Sequence, residues 1–314
     1  MISRAHALTF AAVGALLRPN FRAAQAERVR VAITLGDAVA EGYYAEKAGF
    51  FNRAGLDTQL VMLAKGNLVI SLVVGTGADV GIANVGAIAA AHSRQIPFYV
   101  IAPGAISAIG APPVVVVAVM NDSPINNAAQ LTGKTVALSA LGDLEQAAVM
   151  NWIDNTGGDA RHVLFVETPH ADQLLALRAK RVDAVVLVEP WITSEKKDLR
   201  FIGRPYDVLG REIMTHAWIA NRGWYESNTA VAQRFTMAIR AAARWCNANP
   251  AATASMLEAI TKVPRTQILK MNRVRFGETL AANELQPIIN VMARYGFIPH
   301  GFPASQLFVP SNTM

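Results

Sequence analysis

Apolar residues fall along the chain in short runs, each closed by glycine, proline or a polar pair. Val29, Val31 and Ile33 alternate with polar or small positions, which predicts a strand over residues 29–35. Gly36 and Asp37 end it, and a helix is expected from about residue 38 to 53, with Asp37 as its cap. A second strand is predicted over residues 57–63. Gly66 and Asn67 then open a helix whose apolar run, Leu68 to Val74, leads into the glycine turn at Gly75 and Gly77. A buried strand follows and ends on Ala83 and Asn84. With a helix over residues 86–94 and a strand over 98–102, the pattern reads βαβαβαβ, a parallel sheet wrapped by helices.

Pro112 and Pro113 punctuate the chain before an apolar run, residues 114–119, which is read as the crossing into a second unit. There the alternation returns: a strand over 135–139, a helix over 144–156, a strand over 163–167, a helix led by Thr168 and Pro169, and a strand from Asp183. Asp143 and Gln146 have capping-box spacing, and Thr168 with Pro169 has the chemistry of a cap followed by a first helical residue. Asp79-Val80 in the first half and Asp183-Ala184 in the second fill matching places. A period of about a hundred residues is far too long for a solenoid unit. It fits an α/β fold of two lobes built alike, joined by two crossings, with strand ends facing a shared crevice where ligands of open α/β sheets sit. Residues 27–113 are assigned to the first lobe and 114–220 to the second. Residues 221–314, helical with breaks at Asn249-Pro250 and Pro264, are expected to pack back on the first lobe.

Composition alters this picture at the N-terminus. Arg4, an apolar core over residues 7–17 too short to span a bilayer, and the motif Ala24-Gln25-Ala26 together read as a cleavable signal peptide over residues 1–26. Cleavage would remove Arg4, Arg18 and Arg22 and no acid, lowering the formal charge from +6 to +3. Half of the basicity thus belongs to the export signal, and no Lys/Arg cluster with interleaved aromatics remains to suggest nucleic acid. The expected address is the periplasm. The single cysteine, Cys246, sits in an apolar helical context and has no internal disulfide partner.

Several phrases in order resemble the NMT1/THI5-like group of substrate-binding proteins of ABC importers, which includes aliphatic sulfonate and nitrate binders. They are Glu46-Lys47-Ala48-Gly49-Phe50-Phe51 with Ala54-Gly55-Leu56-Asp57, then Gly77-Ala78-Asp79-Val80-Gly81. Asp122-Ser123-Pro124-Ile125 with Leu131-Thr132-Gly133-Lys134 follows, and Val182-Asp183-Ala184 with Glu189-Pro190-Trp191 completes the set. The resemblance covers about residues 29–307. It implies a bilobed type II periplasmic-binding-protein fold, a monomer that captures one small organic ligand, and a membrane ABC permease as partner. A ligand-sensing component for a membrane-bound receptor remains the alternative. The resemblance does not transfer the ligand.

Four loops should converge on the crevice, and they supply the candidate ligand-binding residues: Gly36, Asp37 and Tyr43; Asn84 and Val85; Ser139, Gly142 and Asp143; Glu189 and Trp191. Three loops stand just before a predicted helix, whose free N–H groups can hold polar or anionic ligand atoms. Trp191 and the pair Tyr43-Tyr44 can stack on a flat ligand, and Asp37 and Asp143 can equally be helix caps. These loops carry Asp37, Glu41, Asp143, Glu145 and Glu189 but no lysine or arginine, which disfavours a multiply charged anion and favours a neutral, zwitterionic or amine-bearing ligand. Catalysis is not expected. The glycines at 75, 77 and 81 have the wrong spacing for a dinucleotide fingerprint and precede a strand. Ser194 to Lys197 fits S-x-x-K without its partner motifs, and the six histidines lack metal-ligand spacing. Enzymes of this fold, a cysteine-dependent desulfinase and a cysteine-rich pyrimidine synthase, would need cysteines that the first-lobe loops lack. No cofactor or metal is expected.

Overall fold

The computed structural model describes residues 26–63 and 65–310. The expected signal peptide therefore lies outside the described residues, apart from Ala26. In chain order the first lobe opens with strands β1 (Glu27–Thr34), β2 (Leu56–Leu63), β3 (Val80–Asn84) and β4 (Phe98–Pro103). Strand β5 (Ala105–Ala108) leaves the lobe. The second lobe holds β6 (Val115–Met120), β7 (Thr135–Leu138), β8 (Leu164–Glu167), β9 (Ala184–Val188) and β10 (Leu199–Gly203). Strands β11 (Glu212–Met214) and β12 (His216–Asn221) return, and β13 (Arg275–Phe276) lies between the C-terminal helices.

The two large sheets share one plan. The first runs β2-β1-β3-β12-β4 and the second, in matching order, β8-β7-β9-β6-β10. In each, three parallel strands meet an antiparallel fourth, β12 or β6, that pairs on both its edges. The central strand β9 is buried along Ala184 to Leu187, as expected for a parallel strand covered on both faces. The matching aspartates have matching work. Asp79 donates its N–H to Arg30 O at 2.9 Å, and its Oδ2 accepts the Arg30 N–H at 2.8 Å. Asp183 donates to Thr135 O at 2.8 Å and accepts the Thr135 N–H at 2.8 Å. Each aspartate thereby extends the pairing of the third strand to the first by one residue, and neither reaches the crevice.

Several elements differ from the expectation. The first helix is three pieces, Asp37–Val39, Glu41–Lys47 and Phe50–Arg53, the last set apart because Gly49 turns left-handed with φ 75°. Pro169 stands at the cap position before His170–Arg178, and Thr168 makes no side-chain cap. Strand β12, which the reading assigned to the second lobe, is bonded between β3 and β4 in the first sheet, so the return is made before His216. Antiparallel strands β5 and β11 place both crossings side by side, with β13 on the other edge of β5. The long helix Thr229–Ala248 packs on the first lobe, with Phe235 against Phe51 and Trp218. The last helix, Ala282–Arg294, also grips the second lobe: Arg294 donates to Asn151, and the adjoining Tyr295 donates to Asp154. The lobes touch where helix Val85–Ser93 meets helix Leu144–Asn155. Gly86 is required there, since a Cβ would lie 2.8 Å from Leu144 N.

Candidate functional site

Between the lobes lies a cavity of about 540 Å³, within the size range of small-molecule sites. Gly36, Asp37, Asn84, Ser139, Asp143, Glu189 and Trp191 all line it. Tyr43, Val85 and Gly142 do not. Tyr43 turns away to pack edge-on against Tyr44 and under Lys47. Val85 is fully buried in the core, with its N–H on Thr215 O. Gly142 supplies a left-handed turn, φ 75°, whose N–H donates to Gln146.

Most of the expected anion-holding groups are already occupied by the chain itself. Asn84 Oδ1 accepts the Gly86 and Ala87 N–H groups of its own helix. Asp143 Oδ1 accepts those of Glu145 and Gln146, confirming its cap. Glu189 Oε2 accepts the Thr193 N–H, while its Oε1 takes the Thr193 hydroxyl and the Asn272 N–H. Glu189 therefore ties helix Trp191–Glu195 to the C-terminal segment and has little left for a ligand.

The acids of the four loops have separate fates. Asp37 makes no side-chain cap. It is held by both ends of the Arg273 guanidinium, at 2.7 and 2.9 Å, and also accepts from Tyr44 Oη and Val274 N. Arg273 comes from the stretch read as helix, so the expected imbalance of acids over bases is partly cancelled from outside the loops. Glu41 lies in the first-lobe core instead of the cavity and accepts the Trp218 indole N–H at 2.7 Å. Burial raises its pKa well above the ordinary range.

Asp143 and Glu145 remain, both on the cavity. Ser139 donates to Glu145 Oε2 from both N and Oγ, each at 2.8 Å. Burial raises both carboxyls, and the neighbouring Glu145 charge raises Asp143 further. His170 places Nε2 3.9 Å from Glu145 Oε1, and its ring lies 5.4 Å from that of Trp191. Burial lowers His170 to about 4, so it is neutral near pH 7. His216 is lowered to about 4 by the same cause. The Thr215 hydroxyl, donating to Ala105 O, can accept from His216 Nδ1 and leave Nε2 as an acceptor toward the cavity.

The sequence reading omitted His170, His216, Thr215 and Tyr206, and it counted Glu145 as an acid without placing it at the site. It also gave no role to the C-terminal wall, where Leu257, Ile268 and Met271 contribute apolar surface. Nothing in their sequence neighbourhoods says which of these side chains turn inward. Cys246 does not line the cavity, and burial raises its thiol pKa. Among the described residues, no group of three or more His, Cys, Asp or Glu could hold a metal ion, and no helix is long and apolar enough to cross a membrane.

Two equivalent α/β lobes, a double crossing and a cavity between them define a bilobed periplasmic-binding-protein fold. The chain belongs to the NMT1/THI5 like family, whose model matches residues 38–253. It is similar in structure to the periplasmic aliphatic sulphonate binding protein SsuA from Escherichia coli (TM-score 0.74, 16% identity, covering 90% of this chain and 92% of that one). It is also similar to the alkanesulfonate-binding protein SsuA from Xanthomonas axonopodis pv. citri bound to MOPS (0.73, 14%, 91% and 99%). The periplasmic nitrate-binding protein NrtA from Synechocystis PCC 6803 is a further neighbour (0.70, 16%, 90% and 85%). No curated protein matches the chain in sequence.

Proposed function

We propose that this chain is the exported solute receptor of an ABC importer, binding one small organic molecule between its lobes and presenting the closed form to a membrane permease. The cavity carries this reading. Its walls come from both lobes and from the C-terminal segment, so a bound molecule is touched from both sides of the hinge formed by β5 and β11. Ligand contacts on both lobes favour the closed arrangement over the open one, which is the differential affinity that closure needs. Family membership and the SsuA and NrtA neighbours support the same role. Gly36, Asn84, Ser139, Asp143, Glu145 and Trp191 are the residues proposed to face the ligand. Binding proceeds without turnover, and the protein acts as a monomer in the periplasm after cleavage before Glu27.

The test is a thermal-shift screen of the processed chain against sulfonates, nitrate, aromatic acids, pyrimidines and amines, followed by small-angle scattering with each hit. A ligand of the folded state raises the melting temperature, and the receptor reading expects a smaller radius of gyration with it. Mass spectrometry should recover the ligand unchanged. Conversion of the hit, or binding without compaction, contradicts the proposal.

A further inference from the structure

The second-lobe corner of the cavity holds hydrogen-bonding capacity that the chain does not use. Glu145 is buried, and Ser139 occupies only its Oε2. His170 Nε2 stands 3.9 Å from its Oε1, beyond hydrogen-bonding distance. His170 Nδ1 lies 3.3 Å from the Gln173 amide nitrogen. Asp143 spends Oδ1 on its cap, and Oδ2 has no partner among the described residues. Tyr206 is only 8% exposed and lines the same cavity, yet its hydroxyl also has no partner among the described residues. Oxygens without protein partners on a cavity wall are open to a ligand or water.

The charge around this corner has one sign. Among the described residues no lysine or arginine lines the cavity, and Arg273 is consumed by Asp37. Asn84, Asp143 and Glu189 occupy N–H groups at three helix starts on the cavity, whereas the start at Gly36-Asp37 carries no side-chain cap. A sulfonate or nitrate in this second-lobe corner would thus meet a helix start already capped by Asp143 and two carboxyl groups. A protonated nitrogen would meet acceptors.

We infer that this corner binds a cationic nitrogen, an amine or amidinium on a small organic ligand. The charge sits among Glu145 Oε1, Asp143 Oδ2 and the Tyr206 hydroxyl. The ligand's apolar body lies against Trp191 and the wall of Leu257, Ile268 and Met271. The inference rests on the receptor reading and specifies its ligand class. Neutral His170 does not compete with the ligand as a cation.

Calorimetric titration with benzylamine, benzyl alcohol and phenylmethanesulfonate separates the charge from the ring. Wild-type protein should bind the amine about ten- to hundredfold more tightly than the alcohol, the range of one charged hydrogen bond. The sulfonate should bind most weakly. Glu145→Gln keeps an acceptor for Ser139 and should bring the amine to the affinity of the alcohol. Asp143→Asn keeps the helix cap and should reduce the amine's advantage in part, and it carries the test if Glu145→Gln fails to fold. An amine that binds no more tightly than the alcohol overturns the inference, as does an advantage that survives both substitutions. If the sulfonate binds tightest and compacts the protein, the cation inference fails while the receptor reading stands. Failure of every bound compound to compact the protein would count against the receptor reading itself.

Discussion

At the crevice edge of the first lobe, Asp37 is bound to Arg273 and Tyr44, and Asn84 closes the start of its own helix. At the equivalent edge of the second lobe, Asp143 and Glu145 each keep an oxygen free, beside Tyr206 and Trp191. The frames beneath these edges are alike down to the aspartates that pin the third strand to the first. The difference comes from what covers them. The first lobe received the C-terminal segment, which brings Arg273 into contact with Asp37, whereas the second-lobe acids have no such cation. The two lobes share their backbone contacts and differ in the chemistry that each presents to the cleft.

The largest expected effect of a substitution is on the first-lobe side. Asp37→Ala leaves the mostly buried Arg273 without its partner and should cost about 3–5 kcal/mol in equilibrium denaturant unfolding. A loss of only about 1 kcal/mol, typical of a cap, would mean that water reaches Arg273 and that the first-lobe edge is less closed than the geometry requires. Next come the matched pins. Asp79→Ala and Asp183→Ala each strand a backbone N–H and should cost about 1–3 kcal/mol. Asp79 should cost somewhat more, since it also holds the Arg30 guanidinium, although Arg30 is exposed enough to limit the gain. A negligible effect at one site only would break the equivalence of the two frames.

The smallest effect is in the pH dependence of the ligand-free protein. His170 and His216, lowered to about 4, favour folding fully above their ordinary value of 6.5 and lose that contribution as pH falls toward 4. Asp143 and Glu145 act with the opposite sign. Raised by burial, they contribute stability that is complete below the ordinary carboxylate range and is lost as pH rises through their folded values. Glu145→Gln removes part of that second term, so its stability relative to wild type should improve as pH rises from about 5 to 8. Denaturant unfolding at a series of pH values checks this, and parallel profiles would contradict it.

Much of the frame was legible because its signals are local. Alternation of Val29, Val31 and Ile33, the matching Asp79 and Asp183, and the Asp143 cap all act within a few residues of chain or repeat in sequence. The site was only partly legible. The pairing of Asp37 with Arg273 joins positions far apart in the chain, and nothing near either residue announces the other. Tyr43 and Tyr44 are adjacent, so composition could not say that both would turn from the cavity, one to the surface of its helix and one to Asp37. The two-residue strand β13 is too short to show a period. Glu145 stood in a helix start where an acid is ordinary, and only its burial against Ser139 separates it from a solvated first-turn glutamate.

The most direct measurement is mass spectrometry of the small molecule that co-purifies with the receptor from the cells that naturally make it. The second-lobe corner predicts one molecule per chain that carries a protonatable nitrogen and an apolar or planar body. A sulfonate, nitrate or another strong anion without such a nitrogen, recovered in that stoichiometry, would contradict it.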